Sequence, residues 1–295
     1  MYTLYYIDIF NRGCRLGANI LNYISQIVYA HKNNYYIKYD KNFLRFKNSI
    51  FIKSLFSYVD NYNLNLLENY DIDRYFIDSE ELNLQKINID TVHFVHIISM
   101  TTMNISSDII SYFKKHIFPN IEEEFEKLAT IMNYTTLDVS KKILVHLRLD
   151  DVRNVRDYDG SICSNYYADR INNGQSCFHT NLYDGLYNQQ APLSKEKLMD
   201  QITTAQKKYP DYKVVLVTNP GETVDLPFQI IQNDDPNFDL YLLCKSEVLI
   251  LSRSTFTLAS LFFGRQKEVY IPLWGHAVCL GIYTKYDNSK FNYFF

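Results

Sequence analysis

The stretch that decides the fold is Lys141-Lys142-Ile143-Leu144-Val145-His146-Leu147-Arg148-Leu149-Asp150-Asp151. Three consecutive apolar residues at 143–145, followed by alternation, predict a mostly buried strand over 143–147. Side chains alternate between the two faces of a strand, so His146 and Arg148 emerge on the same face. Arginine binds phosphate well because its planar guanidinium donates two hydrogen bonds at once. Ligands of open α/β sheets bind beyond the carboxyl ends of the strands, so this stretch predicts an anion site there. A strand end that carries solvated charges explains the same residues equally well when the motif is taken alone.

The composition predicts a globular protein with room for two domains. The chain has 295 residues, of which 47% are hydrophobic, enough for a sizeable core. The net charge of -3, without a Lys/Arg block, argues against nucleic acid as a partner. The 5 cysteines form no C-x-x-C pair, which is typical of reduced thiols. Without a signal-peptide pattern or an apolar run of about 18 residues, we expect a cytoplasmic protein that does not span a membrane.

Strand and helix patterns alternate along the chain, which favours parallel sheets covered by helices. A polar connector at 133–140 predicts a boundary between an N-terminal domain, 1–135, and a C-terminal domain, 136–295. Pro119 is expected to separate two helices, and 152–192 is a long polar segment. The predicted strands are 3–9, 35–39, 91–98, 143–147, 214–217, 228–231, 248–251 and, as the last one, 269–271; the predicted helices are 16–31, 49–59, 107–117, 121–132, 194–209, 239–246 and 255–263.

A second motif lies between the first predicted strand and the first helix, at 11–19, with the sequence NRGCRLGAN. Its two glycines, Gly13 and Gly17, allow a tight turn and a close approach of the backbone to a ligand. Arg15 and Asn19 are four residues apart, so they share one helix face. Free N–H groups at a helix start favour an anion. An ordinary strand-to-helix turn uses glycine in the same way, so both interpretations stand.

A third motif spans 249–260, where a buried strand ends in a hydroxyl-rich turn that starts a helix. Ser254 or Thr255 is expected to cap this helix, and the turn has the groups of a second phosphate site. Simple capping, which every helix needs, is the favoured explanation of these hydroxyls when the motif is taken alone. All three motifs, however, fall at the ends of predicted strands, one in the N-terminal half and two in the C-terminal half. That distribution predicts two Rossmann-like domains facing a central cleft.

These motifs resemble those of the α-1,2/α-1,6/protein-O-fucosyltransferase superfamily. The spacing His-x-Arg-x-x-Asp at His146, Arg148 and Asp151 resembles its signature after a hydrophobic strand. The run at 15–19, RLGAN, resembles the Gly-rich opening, with one residue inserted before the asparagine. The segment 235–259 resembles the third motif, in which an acidic-Pro stretch precedes a helix, a strand and a Ser-Ser/Thr-Phe turn. Their order and spacing agree over most of the chain.

The resemblance implies a GT-B fold and an inverting, metal-independent glycosyltransferase that needs no cofactor besides its nucleotide-sugar donor. It implies L-fucose transfer from GDP-fucose to an oligosaccharide or glycan acceptor. Arg148 takes the role of the arginine at the donor diphosphate, and His146 supports the site or contacts the donor. The remaining donor-binding residues that it implies are Arg15, Gly17, Asn19, Asp239, Ser254, Thr255 and Phe256.

The sequence departs from the family at two places. Leu149-Asp150 stands where bacterial members usually carry Arg-Gly, and Leu258-Ala259 stands where they often carry a Trp pair. A changed donor pocket is therefore an open alternative, with a UDP- or GDP-linked pentose or deoxyhexose as donor. An inverting transfer also needs a base near the acceptor hydroxyl. Asp73 and Asp151 are the main candidates, beside Asp71 and Asp150, and solvated loop carboxylates remain the plainer interpretation of 71 and 73.

Three rival interpretations concern other classes of protein. A metal-dependent transferase would use an Asp-x-Asp pair, but the pairs at 71/73 and 157/159 are expected by chance in a chain this rich in aspartate. A non-catalytic nucleotide-sugar or glycan-binding relative would keep the fold and lose the chemistry. A zinc enzyme would use His93 and His96, which a strand would point to opposite faces. No metal site is therefore predicted.

Overall fold

The computed structural model describes residues 4–6, 15–32, 36–39, 41, 44–69, 111–131, 138–149, 192–272 and 290–294. Strands and helices alternate through them, as the sequence predicts. In chain order the elements are β1 (Leu4–Tyr6), α1 (Leu16–Lys32), β2 (Tyr36–Lys38), α2 (Ile50–Asn69), a π-helical turn (Phe113–Ile117), α3 (Phe118–Ile131), β3 (Lys142–His146), α4 (Lys195–Lys208), β4 (Lys213–Val217), β5 (Gln229–Ile231), α5 (Pro236–Lys245), β6 (Val248–Ile250), α6 (Thr255–Phe263), β7 (Glu268–Pro272) and β8 (Lys290–Phe294).

The main sheet has six parallel strands in the order β5-β4-β3-β6-β7-β8. From β3 the chain adds β4 and β5 on one side and then β6, β7 and β8 on the other. Counted from β3, this is the order 3-2-1-4-5-6 of a doubly wound sheet. The direction of winding reverses between β3 and β6, which are hydrogen-bonded neighbours. Folds of this kind bind their ligands at that switch point.

The core explains why β3 has no polar alternation before its end. Ile143 and Val145 pack into a cluster on the α4 face of the sheet, while Leu144 packs into the cluster on the opposite face. A parallel strand covered on both faces is apolar throughout. Polar residues begin to alternate with apolar ones only at His146, at the carboxyl end of the strand.

One continuous hydrophobic cluster joins the N-terminal helices to the main sheet. It contains buried side chains of α1, α2 and α3 together with those of α5, α6 and one sheet face. The first turn of α1 packs directly on the first turn of α6, at Gly17 and Phe256. The described N-terminal helices therefore sit against the helices that flank the switch point.

A separate two-stranded parallel sheet pairs β1 with β2 across α1. The side chain of Asn63 in α2 pairs with the backbone of β2 like a further strand. Its Nδ2 donates to the Ile37 carbonyl at 2.7 Å, and its Oδ1 accepts from the Ile37 N–H at 2.9 Å. This side chain ties α2 to the small sheet.

The buried carboxylate of Glu268, at the start of β7, joins neighbouring elements at the amino ends of the strands of the main sheet. It accepts hydrogen bonds from Lys208, from the Tyr209 hydroxyl at 2.7 Å and from Asn292 Nδ2 at 2.9 Å. Burial alone raises the pKa of Glu268, but these hydrogen bonds outweigh it and hold the pKa below its usual value. The group connects α4, β7 and β8 at the end of the sheet opposite the switch point.

Two sequence expectations about the elements are wrong. Pro119 does not separate two helices, because the π-helical turn continues without a break into α3. The Phe118 N–H donates to the Phe113 carbonyl five residues back. A π turn is wider than an α turn, which accommodates the missing N–H of the following proline. The strand at 268–272 is also not the last, since β8 extends the sheet beyond it.

Other differences are in element length. α2 continues to Asn69, ten residues beyond the predicted end, and α5 begins at Pro236 rather than Asp239. Asp235 caps α5 and Pro236 occupies its first position, a common start for a helix. The predicted strand at 91–98 lies outside the described residues, and so does most of the predicted domain boundary, which stays a prediction. Within the described part of the chain, no helix is both long and apolar enough to cross a membrane.

Candidate functional site

The candidate site lies where the winding of the main sheet reverses, at the carboxyl ends of β3 and β6. His146 closes β3, and Ser252 follows β6. Their side chains are joined by a hydrogen bond of 2.7 Å between His146 Nδ1 and Ser252 Oγ. The two motifs at 141–151 and 249–260 thus meet in space, as strand ends at one edge of a sheet must.

His146 is a neutral, buried side chain. Burial and the nearby charge of Arg148 lower the pKa of its imidazole to about 3. Its ring also lies 5.6 Å from the ring of Phe256, centroid to centroid. An uncharged ring thus links β3 to the turn before α6.

Arg148 extends from the end of β3 over the turn that follows β6. Its Nη1 donates to the backbone carbonyl of Arg253 at 3.4 Å, and the residue is only partly buried. Its guanidinium is therefore held near the start of α6. A partly buried cation beside a helix N-terminus favours an anionic ligand.

The turn between β6 and α6 is held by its own hydrogen bonds. The Thr257 hydroxyl donates to the carbonyls of Ser252 at 3.2 Å and Ser254 at 2.9 Å. Ser254 caps α6, accepting from the Phe256 N–H at 3.2 Å. Residues 251–254 are all buried. This turn presents its groups in a fixed geometry, which is what an electrostatic site requires.

α1 brings the N-terminal motif to the same turn. A Cβ on Gly17 would lie 2.3 Å from Phe256 Cα and 2.6 Å from Phe256 N, so only glycine fits there. Asn19 is buried, and its Nδ2 donates to the Arg15 carbonyl at 2.9 Å, while Arg15 itself is exposed. The motif thus serves the packing of α1 against α6 as well as the position of Arg15 at the start of α1.

Asp239 lies in the first turns of α5, which starts from the same edge of the sheet. It is buried, and Asn233 Nδ2 donates to its Oδ1 at 2.6 Å. Burial raises the pKa of its carboxyl to about 7, an effect that the Asn233 hydrogen bond partly offsets and the charge of Asp235 reinforces. A buried carboxyl with such a pKa is typical of a functional site.

Several predicted residues fall outside the described part of the chain. They include the base candidates Asp73 and Asp151, with Asp71 and Asp150, the pair at 157/159, and His93 and His96 of the zinc interpretation. Their roles stay predictions. Among the described residues, no group of three or more His, Cys, Asp or Glu side chains could hold a metal ion.

Sequence reasoning missed Ser252 and Arg253. Both lie in the motif at 249–260, yet only the capping hydroxyls and Phe256 were predicted as site residues. A signal was present, because a charged residue three positions after the end of a buried strand at 248–250 is expected near the carboxyl edge of the sheet. What the sequence does not reveal is that both side chains are buried there.

No family model, no curated protein and no solved structure matches the chain.

Proposed function

We propose that the chain is an inverting glycosyltransferase that binds a nucleotide sugar at the switch point of its main sheet. The observation that carries this proposal is the convergence of Arg148 with the capped start of α6. The Arg148 guanidinium reaches the turn at Arg253, and Ser254 caps the helix that begins there. A cation and a helix N-terminus together match the diphosphate of such a donor.

The main catalytic requirement of this reaction is to stabilise the negative charge that develops on the leaving diphosphate. The acceptor hydroxyl attacks the anomeric carbon, the bond from that carbon to the diphosphate oxygen breaks, and its electron pair stays on the leaving nucleoside diphosphate. The hydroxyl proton passes to a base, for which Asp73 and Asp151 are the candidates. Groups fixed in advance around a developing charge provide the largest catalytic effects. Arg148 and the start of α6 have this role in our proposal.

The remaining assignments follow the motifs. Asp239, with Asn233, is proposed to bind the nucleoside end of the donor, since both lie at the carboxyl edge beside α5. Arg15 is proposed to face the donor from the N-terminal half, with Gly17 and Asn19 holding α1 in place. Domains at 1–135 and 136–295 in a GT-B arrangement, and GDP-fucose as the donor, belong to the same proposal.

The test is turnover of GDP-fucose by the purified protein in the presence of EDTA. We expect transfer or slow hydrolysis that releases GDP, and loss of that activity in Arg148→Ala. Arg265→Ala is the matched control, because Arg265 is an exposed arginine just beyond the opposite end of α6. Activity that disappears with EDTA and returns with manganese would contradict the metal-free mechanism.

A panel of nucleotide sugars in a thermal-shift assay resolves the donor. A ligand that binds the native state raises its stability. The proposal expects a shift with at least one nucleotide diphosphate sugar, and a larger shift with guanine than with uracil nucleotides. A shift without turnover would identify a non-catalytic relative that binds the same donor.

A further inference from the structure

Phe46 is an exposed aromatic residue with an unfavourable backbone conformation. Its φ of 55° lies in the left-handed region, which a bulky side chain seldom adopts. Burial in the core does not offset this cost, because 39% of the residue is exposed. Strained residues of this kind cluster at active sites and at places where a ligand is held. The position of Phe46 in the fold decides which ligand that is.

The turn that carries Phe46 is fixed by several contacts. The Ser49 N–H donates to the Phe46 carbonyl at 2.7 Å, which closes the turn just before α2. The Arg45 N–H donates to the hydroxyl of Tyr23, a buried residue of α1, at 3.2 Å. The Arg45 guanidinium also lies over the Phe46 ring, with its Cζ 5.6 Å from the ring centre. These contacts hold the ring in place while much of it stays exposed.

A contact between two helix starts places this turn beside the main sheet. The Ser49 hydroxyl donates to Asn237 Oδ1 at 2.5 Å, which joins the start of α2 to the first turn of α5. The first turn of α1 packs on that of α6 in the same way. Helices that follow parallel strands begin at the carboxyl edge of the sheet, so these four helix starts lie together. Phe46 is therefore next to the start of α5, where Asn233 donates to Asp239.

We propose that Phe46 stacks on the nucleobase of the donor. This inference rests on the proposed function and adds the residue that contacts the flat face of the base, beside the Asp239–Asn233 pair. An aromatic ring and a base stack well because both have extended π-faces. The base is the aromatic part of the donor, and with the diphosphate at α6 it is also the part that reaches α5.

Stacking on the base gives the proposal a signature that a phosphate contact lacks. Removing the ring should weaken every ligand that carries a base, namely GDP, UDP and guanosine, and leave pyrophosphate unchanged. The loss should be larger for GDP than for UDP, because guanine has more surface to stack than uracil. A ring that served only the packing of the turn would instead affect all four ligands alike.

The experiment is isothermal titration calorimetry of the full chain with GDP, UDP, guanosine and pyrophosphate. Phe46→Ala should lose about 5- to 100-fold in affinity for GDP, the range expected for a base stacked on an aromatic ring. Phe46→Tyr keeps the ring and should bind GDP like the wild type. Tyr112→Ala is the matched control, because Tyr112 is 38% exposed but packs on Tyr58, farther along α2. It should bind all four ligands like the wild type.

Fluorescence of the variant Phe46→Trp reports the stacking directly, because an indole that stacks on a base loses emission. GDP and guanosine should quench this variant more than they quench the wild type, whose 1 tryptophan gives the background. Pyrophosphate should quench neither protein.

The outcomes separate this inference from the proposal beneath it. A wild-type protein that binds neither GDP nor UDP overturns both. A wild type that binds GDP while Phe46→Ala binds it equally well overturns the role of Phe46 alone, as does an equal loss for GDP and pyrophosphate. Should Phe46→Ala fail to fold, Phe46→Trp decides: quenching by GDP and not by pyrophosphate supports the inference, and GDP binding without added quenching contradicts it.

Discussion

Replacing Gly17 by alanine should separate α1 from α6. The added Cβ would lie 2.3 Å from Phe256 Cα, roughly 1 Å inside the 3.4 Å at which ordinary contact begins. Both atoms that it meets first belong to the backbone. The Phe256 N–H is also held by the capping Ser254. The first turn of α6 therefore cannot yield without losing its cap, and α1 has to move.

Two effects of opposite sign set the size of this destabilisation. Forcing extra atoms into a packed contact costs about 1–3 kcal/mol. Alanine gains up to about 1 kcal/mol over glycine in a helix interior, and less in a first turn such as that of α1. The overpacking is the larger effect, so we expect a net loss of about 1–2 kcal/mol. For a chain of 295 residues, whose entropy of unfolding is about 0.6 kcal/mol/K, that corresponds to a fall of about 1.5–3 °C in Tm.

Thermal unfolding followed by circular dichroism measures this change. Ala18→Gly is the informative comparison, because Ala18 is the neighbouring, partly exposed residue of α1. If helix propensity alone governed α1, Gly17→Ala would raise Tm and Ala18→Gly would lower it. The structure predicts that both lower it. A Gly17→Ala protein as stable as the wild type, or more so, would refute the close approach of the two helices.

Three further predictions concern buried titratable groups. The pKa of His146 is about 3 in the folded protein and near 6.5 in the unfolded chain. Below pH 6.5 the unfolded chain therefore binds a proton that the folded protein does not, and the free energy of unfolding should fall as the pH drops. His146→Gln should flatten that slope in urea titrations at pH 7 and 4.5. Burial raises the pKa of Asp239 to about 7, whereas the unfolded chain has an ordinary carboxyl pKa of about 4. The free energy of unfolding should therefore fall as pH rises from about 4 through 7, because the buried carboxyl must ionise. Asp239→Asn should raise Tm at pH 8 while weakening GDP binding; unchanged stability would contradict the burial of that carboxyl. Glu268→Gln should cost about 1.5–3 kcal/mol in urea unfolding at pH 7. Because the pKa of Glu268 is lowered in the folded protein, the difference in unfolding free energy between Glu268→Gln and the wild type should shrink below about pH 4.5. The control Glu247→Gln, at a more exposed carboxyl, should cost less unfolding free energy.

The apolar runs predict most of the described sheet and helices. Ile143–Val145 and 248–250 are apolar because both sheet faces are covered, and that pattern is visible in the sequence. β8 was missed because Lys290 and Asn292 interrupt its apolar residues, so it has no such run. The π-helical turn was missed because a proline after an apolar helix normally predicts an end, and sequence alone does not reveal the wider turn.

The sequence predicts those parts of the site that lie at the ends of recognisable strands. His146, Arg148 and the turn at 254–256 were expected on one side of the binding cleft, since parallel strands bring their carboxyl ends to one edge. The pairing of His146 with Ser252 and the contact of Gly17 with Phe256 depend on how neighbouring elements pack. No local pattern encodes such contacts, and the burial of Arg253 has the same origin.

A crystal structure of the protein with bound GDP tests the central claim most directly. The account predicts that the diphosphate lies within hydrogen-bond distance of the Arg148 guanidinium, at the start of α6 beside Ser254 and Thr255. GDP bound elsewhere in the protein, with that turn unoccupied, would contradict it.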